Sequence, residues 1–255
     1  MGRSICGTST DAFVFLWIFM VMITGVHGSA KTPSDFGYKK DIMLKVLKSL
    51  FPKKGVPKLP DRYVTFRNPF NKSGTLFRFN ITNGLMFMRG TRAVKPMEVC
   101  KFMLAPMPHA YCRLPIPGSF ATYKCKLSYG SAVTDQFKIN LSMQEYEGWN
   151  NPADVSGYFD VRDYPKRPRL TLTSVFVTEF VVDTTSSPPF ENFTVFKKFN
   201  LNQTLLITKI WDNFTEYVFR KCKQDIRNVT KLVYTRRMKH VAHAVGEFDI
   251  IKLLQ

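Results

Sequence analysis

The residues best able to do chemistry in this chain are its cysteines. Four of the five, Cys100, Cys112, Cys125 and Cys222, lie beyond the first 30 residues. They form no CxxC pair and no Cys/His cluster, which disfavours a metal site and favours disulfides. Four cysteines allow three pairings, and the sequence does not choose among them. We therefore predict two disulfides and no bound metal.

Few other side chains are candidates for catalysis. The histidines beyond residue 30 are His109, His240 and His243, and no HExxH motif, GxSxG motif or glycine-rich phosphate loop accompanies them. The acidic residues between positions 145 and 163 are loosely spaced and show no sign of pairing. These patterns predict a protein that is not an enzyme and has no cofactor.

Asparagine side chains offer a different chemistry, because N-x-S/T sequons accept glycans in the secretory pathway. A glycan is bulky and hydrated, so each acceptor is expected on an exposed face. Over half of the asparagines stand in sequons, which indicates that several are used. The sequons are Asn71, Asn80, Asn140, Asn192, Asn202, Asn213 and Asn228.

The N-terminus predicts the compartment in which those glycans would be added. Arg3 precedes an apolar run over residues 12–23, and small residues follow at Gly28 and Ala30. This order is typical of a secretory signal peptide, and the run is shorter than the roughly 20 residues that span a bilayer. We therefore predict a secreted, extracellular protein with a signal peptide over residues 1–30, one domain over residues 31–240 and a tail over residues 241–255.

The formal net charge of +18 limits the kinds of partner that the protein can bind. For a secreted protein the natural anionic partners are glycosaminoglycans, anionic membrane surfaces and acidic host proteins, whereas the compartment argues against nucleic acid. Solubility alone is the other explanation for such a charge. The cations predicted to form the basic surface are Lys166, Arg167, Arg169, Arg236, Arg237 and Lys239.

Residues 201–234 contain no glycine and no proline, and they predict an amphipathic helix of roughly nine turns. On a helix with two fixed faces, Cys222 and Leu232 share the apolar arc, while the sequons Asn202 and Asn213 lie about 20° apart in the polar arc. The apolar pattern and the sequon pattern therefore select the same orientation. Cys222 is expected to meet another cysteine across the core, which would join the helix to a sheet.

Before this helix, the spacing of apolar residues changes along the chain from a helical period to a period of two residues. Residues 38–51 predict a short basic amphipathic helix, and the chain from residue 63 onward predicts about six antiparallel strands. The fold class is therefore α+β, with a curved antiparallel sheet wrapped around the long C-terminal amphipathic helix and a short N-terminal helix.

Three local patterns make the strand prediction specific. Residues 75–82 alternate apolar and polar side chains, and Asn83-Gly84 predicts a hairpin turn after them. The proline-rich segment PMPHAYCRLPIPG is expected at a sheet edge or in a loop. Residues 170–182 are expected to form one strand.

The chain resembles a known group of secreted proteins. The helix IMLKVLKSLF, the connector GVPKLPD, the segment FRFNITNGLMFMRG and the final long helix together resemble the arthropod takeout and juvenile-hormone-binding proteins, and they are similar to the group-seven mite allergens. These families belong to the tubular lipid-binding superfamily that includes the bactericidal/permeability-increasing protein. Takeout-like chains begin with a disulfide near the mature N-terminus, which this chain lacks, so the resemblance points to a divergent arthropod member.

The resemblance implies a function as well as a fold. The superfamily leaves an apolar tunnel between its sheet and long helix, so we expect a carrier for a lipid or another hydrophobic small molecule. A basic secreted effector is the alternative, such as a salivary anti-haemostatic or immune-modulating protein that binds glycosaminoglycan, anionic lipid or a host protein. The residues expected to line the tunnel are Phe77, Phe79, Ile81, Phe137, Ile139, Leu141, Ile207, Ile210, Trp211, Phe214 and Val218.

Overall fold

The computed structural model describes residues 33–51, 56–70, 74–88, 95–130, 133–144, 153–178, 180–184, 190–197, 199 and 203–255. The predicted signal peptide and the sequons Asn71 and Asn202 lie outside these ranges. Contacts divide the chain into two units, Met1–Tyr38 and Lys39–Gln255. The second unit contains all the described strands.

The larger sheet has six described strands, and every neighbouring pair in it is antiparallel. These are β1 (Lys58–Leu59), β2 (Arg62–Arg67), β3 (Leu76–Phe87), β6 (Phe120–Tyr129), β7 (Val133–Gln144) and β10 (Val181–Thr184). Their order is β1–β3–β6–β7–β10, and β2 follows β1 along the same edge of β3.

The smaller sheet is also antiparallel and has the order β4–β5–β8–β9. Its strands are β4 (Cys100–Met103), β5 (His109–Pro115), β8 (Asp154–Arg162) and β9 (Arg169–Val177).

Two strand predictions are corrected by this sheet. The proline-rich segment contributes β5, an interior strand, because its prolines flank the strand or stand at its last residue. The single strand predicted over residues 170–182 is two strands in different sheets. The Thr178 amide donates to the Asp154 carbonyl at 3.0 Å and so extends the pairing of β9 with β8, whereas β10 pairs with β7 in the larger sheet.

The helices of the described residues are a first helix (Pro33–Leu50), a short helix (Pro96–Val99), a 3₁₀ turn (Phe190–Asn192), a long helix (Gln203–Ala244) and a last helix (Glu247–Leu254). The predicted apolar face of the first helix is confirmed, since Ile42, Met43, Val46 and Leu50 are buried. Among the described residues, no helix is both long and apolar enough to cross a membrane.

The buried stripe of the long helix winds around it. Buried residues recur every four positions from Leu206 to Met238. Four residues turn a helix through about 400°, so each step moves the stripe about 40° onward, and eight steps move it through roughly 320°. Phe214 stacks on Phe79 of the larger sheet, whereas Met238 packs over Gly157 of the smaller one. Sheets therefore cover the helix on successive sides along its length.

This arrangement confirms the α+β fold with its curved antiparallel sheets and long C-terminal helix. The helix runs ten residues beyond its predicted end, to Ala244. Residues 241–255, which we expected to be a tail, belong to the compact unit, because Val241, Val245 and Ile250 are buried. The last helix contacts β4 and β9.

Asn83-Gly84 is not a hairpin turn. It is a bulge within the continuous strand β3, where the register with β6 shifts between Thr82 and Leu85. Asn83 adopts a left-handed conformation (φ 54°), which asparagine tolerates, and its amide donates to Asp61 Oδ1 at 3.0 Å. A bulge and a hairpin both need this conformation, so the dipeptide alone does not distinguish them.

Gly84 is required here by packing. A Cβ at this position would lie 2.4 Å from the Tyr123 ring and 2.7 Å from Leu59 Cβ. We expect Gly84→Ala to lower the free energy of unfolding by about 1–3 kcal/mol, because neither neighbour is a flexible chain end. Equilibrium urea denaturation measures this change.

Gly37→Ala is the control, because Gly37 lies in the first helix with no atom within 4 Å of an added Cβ. Its expected effect is a gain of up to about 1 kcal/mol from helix propensity. Equal losses in the two variants would contradict the packing role of Gly84.

Candidate functional site

The predicted tunnel residues meet between the larger sheet and the long helix. Phe79 and Phe214 stack with their ring centroids 4.6 Å apart, and Phe137 lies 5.8 Å from Phe214. Phe137, Ile207 and Trp211 are partly exposed. The fully buried members are Phe77, Phe79, Ile81, Ile139, Leu141, Ile210, Phe214 and Val218.

A phenylalanine segment, residues 190–197 and 199, fills the rest of this space. Phe190, Phe193, Phe196 and Phe199 recur every third residue, and each amide after the first bonds to the carbonyl three residues earlier, at 3.0 Å. Three residues per turn place the four side chains on one face. The period of three is visible in the sequence, although our sequence analysis did not predict this segment.

The phenylalanine segment packs directly on the predicted tunnel residues. Phe196 lies 5.5 Å from Phe77, and Phe190 lies 5.2 Å from Trp211, between ring centroids. Asp135 of β7 anchors the segment by accepting the Val195 amide at 2.8 Å. The predicted lining residues therefore contact protein side chains, and together they form an aromatic core.

A buried polar cluster lies further along the long helix. Asp225 is buried and accepts two hydrogen bonds from Arg62, one at 2.7 Å. This pairing raises the pKa of the Arg62 guanidinium above its ordinary value. Nearby, burial raises the pKa of Tyr123, whose hydroxyl neighbours the Cys222 thiol. Asp225 lies within the buried stripe, so the Arg62 pair compensates a charge that the core would otherwise exclude.

The four described cysteines form one disulfide. Cys100 and Cys112 are directly opposite in the β4–β5 register and are bonded. Cys125 and Cys222 are free thiols, so the expected second disulfide is absent from the structure, although Cys222 does face the core as predicted. Burial raises the pKa of Cys222 to about 12 and raises that of Cys125 as well.

The three described histidines are not gathered into a site. His109 Nδ1 lies 2.7 Å from the Met107 carbonyl, while His240 and His243 are exposed on the long helix. Among the described residues, no three His, Cys, Asp or Glu side chains are placed to hold a metal ion.

The predicted basic surface lies on separate elements, and some of its cations are occupied. Arg169 bonds to Asp163 at 2.7 Å, and Arg237 donates to the Phe51 carbonyl. Arg236 and Lys239 are exposed on the long helix. Lys166, Arg167 and Arg169 line a cavity of about 750 Å³ at the β8–β9 turn, together with Asp163, Tyr164, Pro165 and Glu247.

A more continuous basic surface covers the outer face of the larger sheet. Its cations are Lys58, Arg78, Lys124, Lys126 and Lys138, and we call this surface the basic face. All five are exposed, and no carboxylate of the described residues lies within 4.0 Å of them.

Strand register places these cations close together. Lys124 lies directly opposite Lys138, and Lys126 follows two residues along the same strand. Opposed side chains in such pairs have Cβ atoms about 4.5–5.5 Å apart, and like charges there reduce stability. Lys58, Lys124 and Lys138 line a groove of about 940 Å³ that also contains Asp61. The groove can therefore accept an anion that reduces the repulsion.

The sequons are exposed wherever the structure describes them. Asn80 and Asn140 lie on the basic face, opposite Lys126 and Thr122 respectively. Asn192, Asn213 and Asn228 are exposed on the 3₁₀ turn and the long helix. These positions are compatible with glycosylation.

Comparison with protein-family models and with curated proteins found no match to this chain. The resemblance to the takeout and group-seven allergen proteins therefore stays a prediction.

We expect Cys125 and Cys222 to be unreactive in the folded protein. A pKa near 12 in place of 9.0 reduces the Cys222 thiolate fraction at pH 8 by roughly a thousandfold, and burial blocks access. Iodoacetamide should add no group to the native protein and two groups after unfolding without reductant, as counted by mass spectrometry. No added group after unfolding would instead reveal a second disulfide.

Proposed function

We propose that the protein is a secreted glycoprotein that binds a sulfated glycan chain, such as a glycosaminoglycan, through the basic face. The observation that carries the proposal is the unpaired cluster of Lys124, Lys126 and Lys138. A linear polyanion can contact several cations along the strands at once, and it releases counterions as it does so.

The chemistry of the basic face favours a sulfated glycan over an anionic membrane. Membrane binding is strongest where apolar side chains enter the interface beside the cations. The residues between the cations are mostly polar, such as Asn80, Thr122 and Ser128. The apolar side chains on this face are few: Leu85 is half-buried, and Tyr63 is exposed on the edge strand. A hydrated polyanion suits such a surface better than a bilayer does.

A charge-neutralising variant tests the proposal. Lys124→Gln/Lys126→Gln/Lys138→Gln should elute from immobilised heparin at lower NaCl concentration, with a salt slope smaller by roughly three. The lost repulsion should also raise the free energy of unfolding by about 0.2–1 kcal/mol. A salt titration of heparin affinity and urea denaturation measure the two effects.

The matched control removes the same charge elsewhere. Lys45→Gln/Lys221→Gln/Lys231→Gln alters three exposed helical lysines and should elute close to the wild type. An equal loss of heparin affinity in both triple variants would mean that net charge alone determines heparin binding. Binding to phosphatidylserine vesicles without binding to heparin would identify a membrane as the anionic partner.

The two sequons on the basic face generate a second prediction. A glycan at Asn80 or Asn140 should partly cover the cations, so Asn80→Gln and Asn140→Gln should elute from heparin at higher NaCl than the wild type. Asn213→Gln, on the long helix, should elute unchanged. Mass spectrometry establishes which sites are occupied. Identical elution despite an occupied Asn80 or Asn140 would contradict the proposed position of the binding surface.

Hydrophobic-ligand carriage is the second candidate. It is favoured by the convergence of all the predicted lining residues in one core, with Phe137, Ile207 and Trp211 partly exposed. Because the phenylalanine segment occupies this core, a ligand would have to displace part of it. Organic extraction and mass spectrometry of the secreted protein, beside a control secreted protein, test this candidate. A stoichiometric lipid would support carriage, and a ligand-free protein would count against it.

A further inference from the structure

The outer face of the smaller sheet exposes a row of aromatic side chains, which we call the aromatic ladder. Tyr111, Tyr158 and Phe176 lie on β5, β8 and β9, with ring centroids 4.8 Å and 5.9 Å apart along the row. Tyr158 and Phe176 are 43% and 55% exposed, and Met103 on the edge strand is 37% exposed. A contiguous exposed apolar surface of this kind is typical of an interaction site.

The aromatic ladder is also partly fixed in place. The Tyr111 hydroxyl lies 2.9 Å from Ser156 Oγ, which donates to Asp154 Oδ1 at 3.3 Å. Asp154 is buried and paired with Arg113. A ring whose orientation is fixed before binding loses less conformational entropy when a partner arrives.

No sequon falls in the smaller sheet. All seven lie outside β4, β5, β8 and β9, so no glycan would be attached to these strands. The chain thus combines a glycan-acceptor surface on the larger sheet with an acceptor-free aromatic surface on the smaller one. A close-fitting macromolecular contact requires a surface of the second kind.

The ring geometry favours a protein partner over a sugar. The Tyr111 and Tyr158 planes meet at 45°, and those of Tyr158 and Phe176 meet at 84°. Such rings form a ridged surface, which lacks the flat platform on which sugar faces stack. Aromatic side chains, methionine and arginine are the residues enriched in the centres of protein interfaces.

Charge indicates the chemistry of that partner. Lys101 lies opposite Tyr111, and Arg162 lies four residues beyond Tyr158, roughly 13 Å along the strand. Both are exposed, and neither has a carboxylate of the described residues within 4.0 Å. Lys166, Arg167 and Arg169 extend the positive surface at the adjoining turn. The acids nearby are fewer: Asp163 and Glu247 line the same cavity, and Asp160 lies between Tyr158 and Arg162 on β8. A second copy of this chain would bring like charges together, so the surface suits an acidic partner.

We propose that the aromatic ladder docks an acidic protein segment that places an apolar side chain against Tyr158 and Phe176 and its carboxylates against Lys101 and Arg162. This interaction is independent of sulfated-glycan binding, because it uses the other sheet. Lys166 and Arg167 would receive further acidic residues of the same segment.

A phage-displayed random 12-residue peptide library is the probe. Selection on the full protein, with excess heparin present to occupy the basic face, should enrich peptides that combine Asp or Glu with aliphatic or aromatic residues. Synthetic versions should bind the wild type with a Kd on the order of 1–100 μM. Affinity should fall at least tenfold for Tyr158→Ser/Phe176→Ser and for Lys101→Glu/Arg162→Glu.

Matched controls separate docking from folding and from glycan binding. Leu205→Ser/Leu232→Ser removes two side chains of similar exposure, 58% and 53%, from the long helix and should bind the peptides normally. The Tyr158→Ser/Phe176→Ser variant should keep its melting temperature and its heparin elution. Peptides that lack acidic residues, or that bind this variant as well as the wild type, would overturn the proposal. Loss of heparin binding in the Tyr158→Ser/Phe176→Ser variant would instead show that the aromatic ladder binds glycans.

Discussion

Apolar cover on nearly every side of the long helix is the constraint on which the rest of the structure depends. Its buried stripe winds through roughly 320°, so a single flat sheet could cover only part of it. The larger sheet and the phenylalanine segment cover Phe214 and its neighbours, and the smaller sheet covers Met238. Between Phe214 and Met238 the helix also buries Asp225 and Thr230. Arg62 of β2 pairs with Asp225, and the Thr230 hydroxyl donates to the Ile226 carbonyl of the helix itself.

The same wrapping gives each sheet an outer face, and the two outer faces differ in chemistry. Alternation along a strand separates core residues from surface residues, so the surface positions can vary without disturbing the helix contacts. On the larger sheet those positions are mostly basic or polar, with Tyr63 exposed on the edge strand β2, and on the smaller sheet they include Tyr158 and Phe176. One scaffold therefore presents two outer faces, for which we propose polyanion binding and protein binding, and each can be altered separately.

The sequence predicts periodic features well and register-dependent features poorly. Period-two alternation predicted the first half of β3, and an uninterrupted apolar pattern predicted the long helix. A fixed apolar arc failed at Leu232, which is 53% exposed, because the stripe drifts when burial recurs every fourth residue. The basic face was missed because Lys124 and Lys138 become neighbours only when β6 pairs with β7. The same limit left the cysteine pairing open until the β4–β5 register was known.

The position of the long helix in the chain has a consequence for biosynthesis. Residues 203–244 follow all ten described strands, yet they supply the surface against which both sheets pack. While the chain is being translated, the inner faces of the sheets stay uncovered until this helix emerges, and exposed apolar strands are prone to aggregate. We therefore expect the nascent chain to need more protection from aggregation than it would if the helix came first. A premature stop before residue 203 would yield sheets with no core, so even a late nonsense mutation is expected to remove the whole protein.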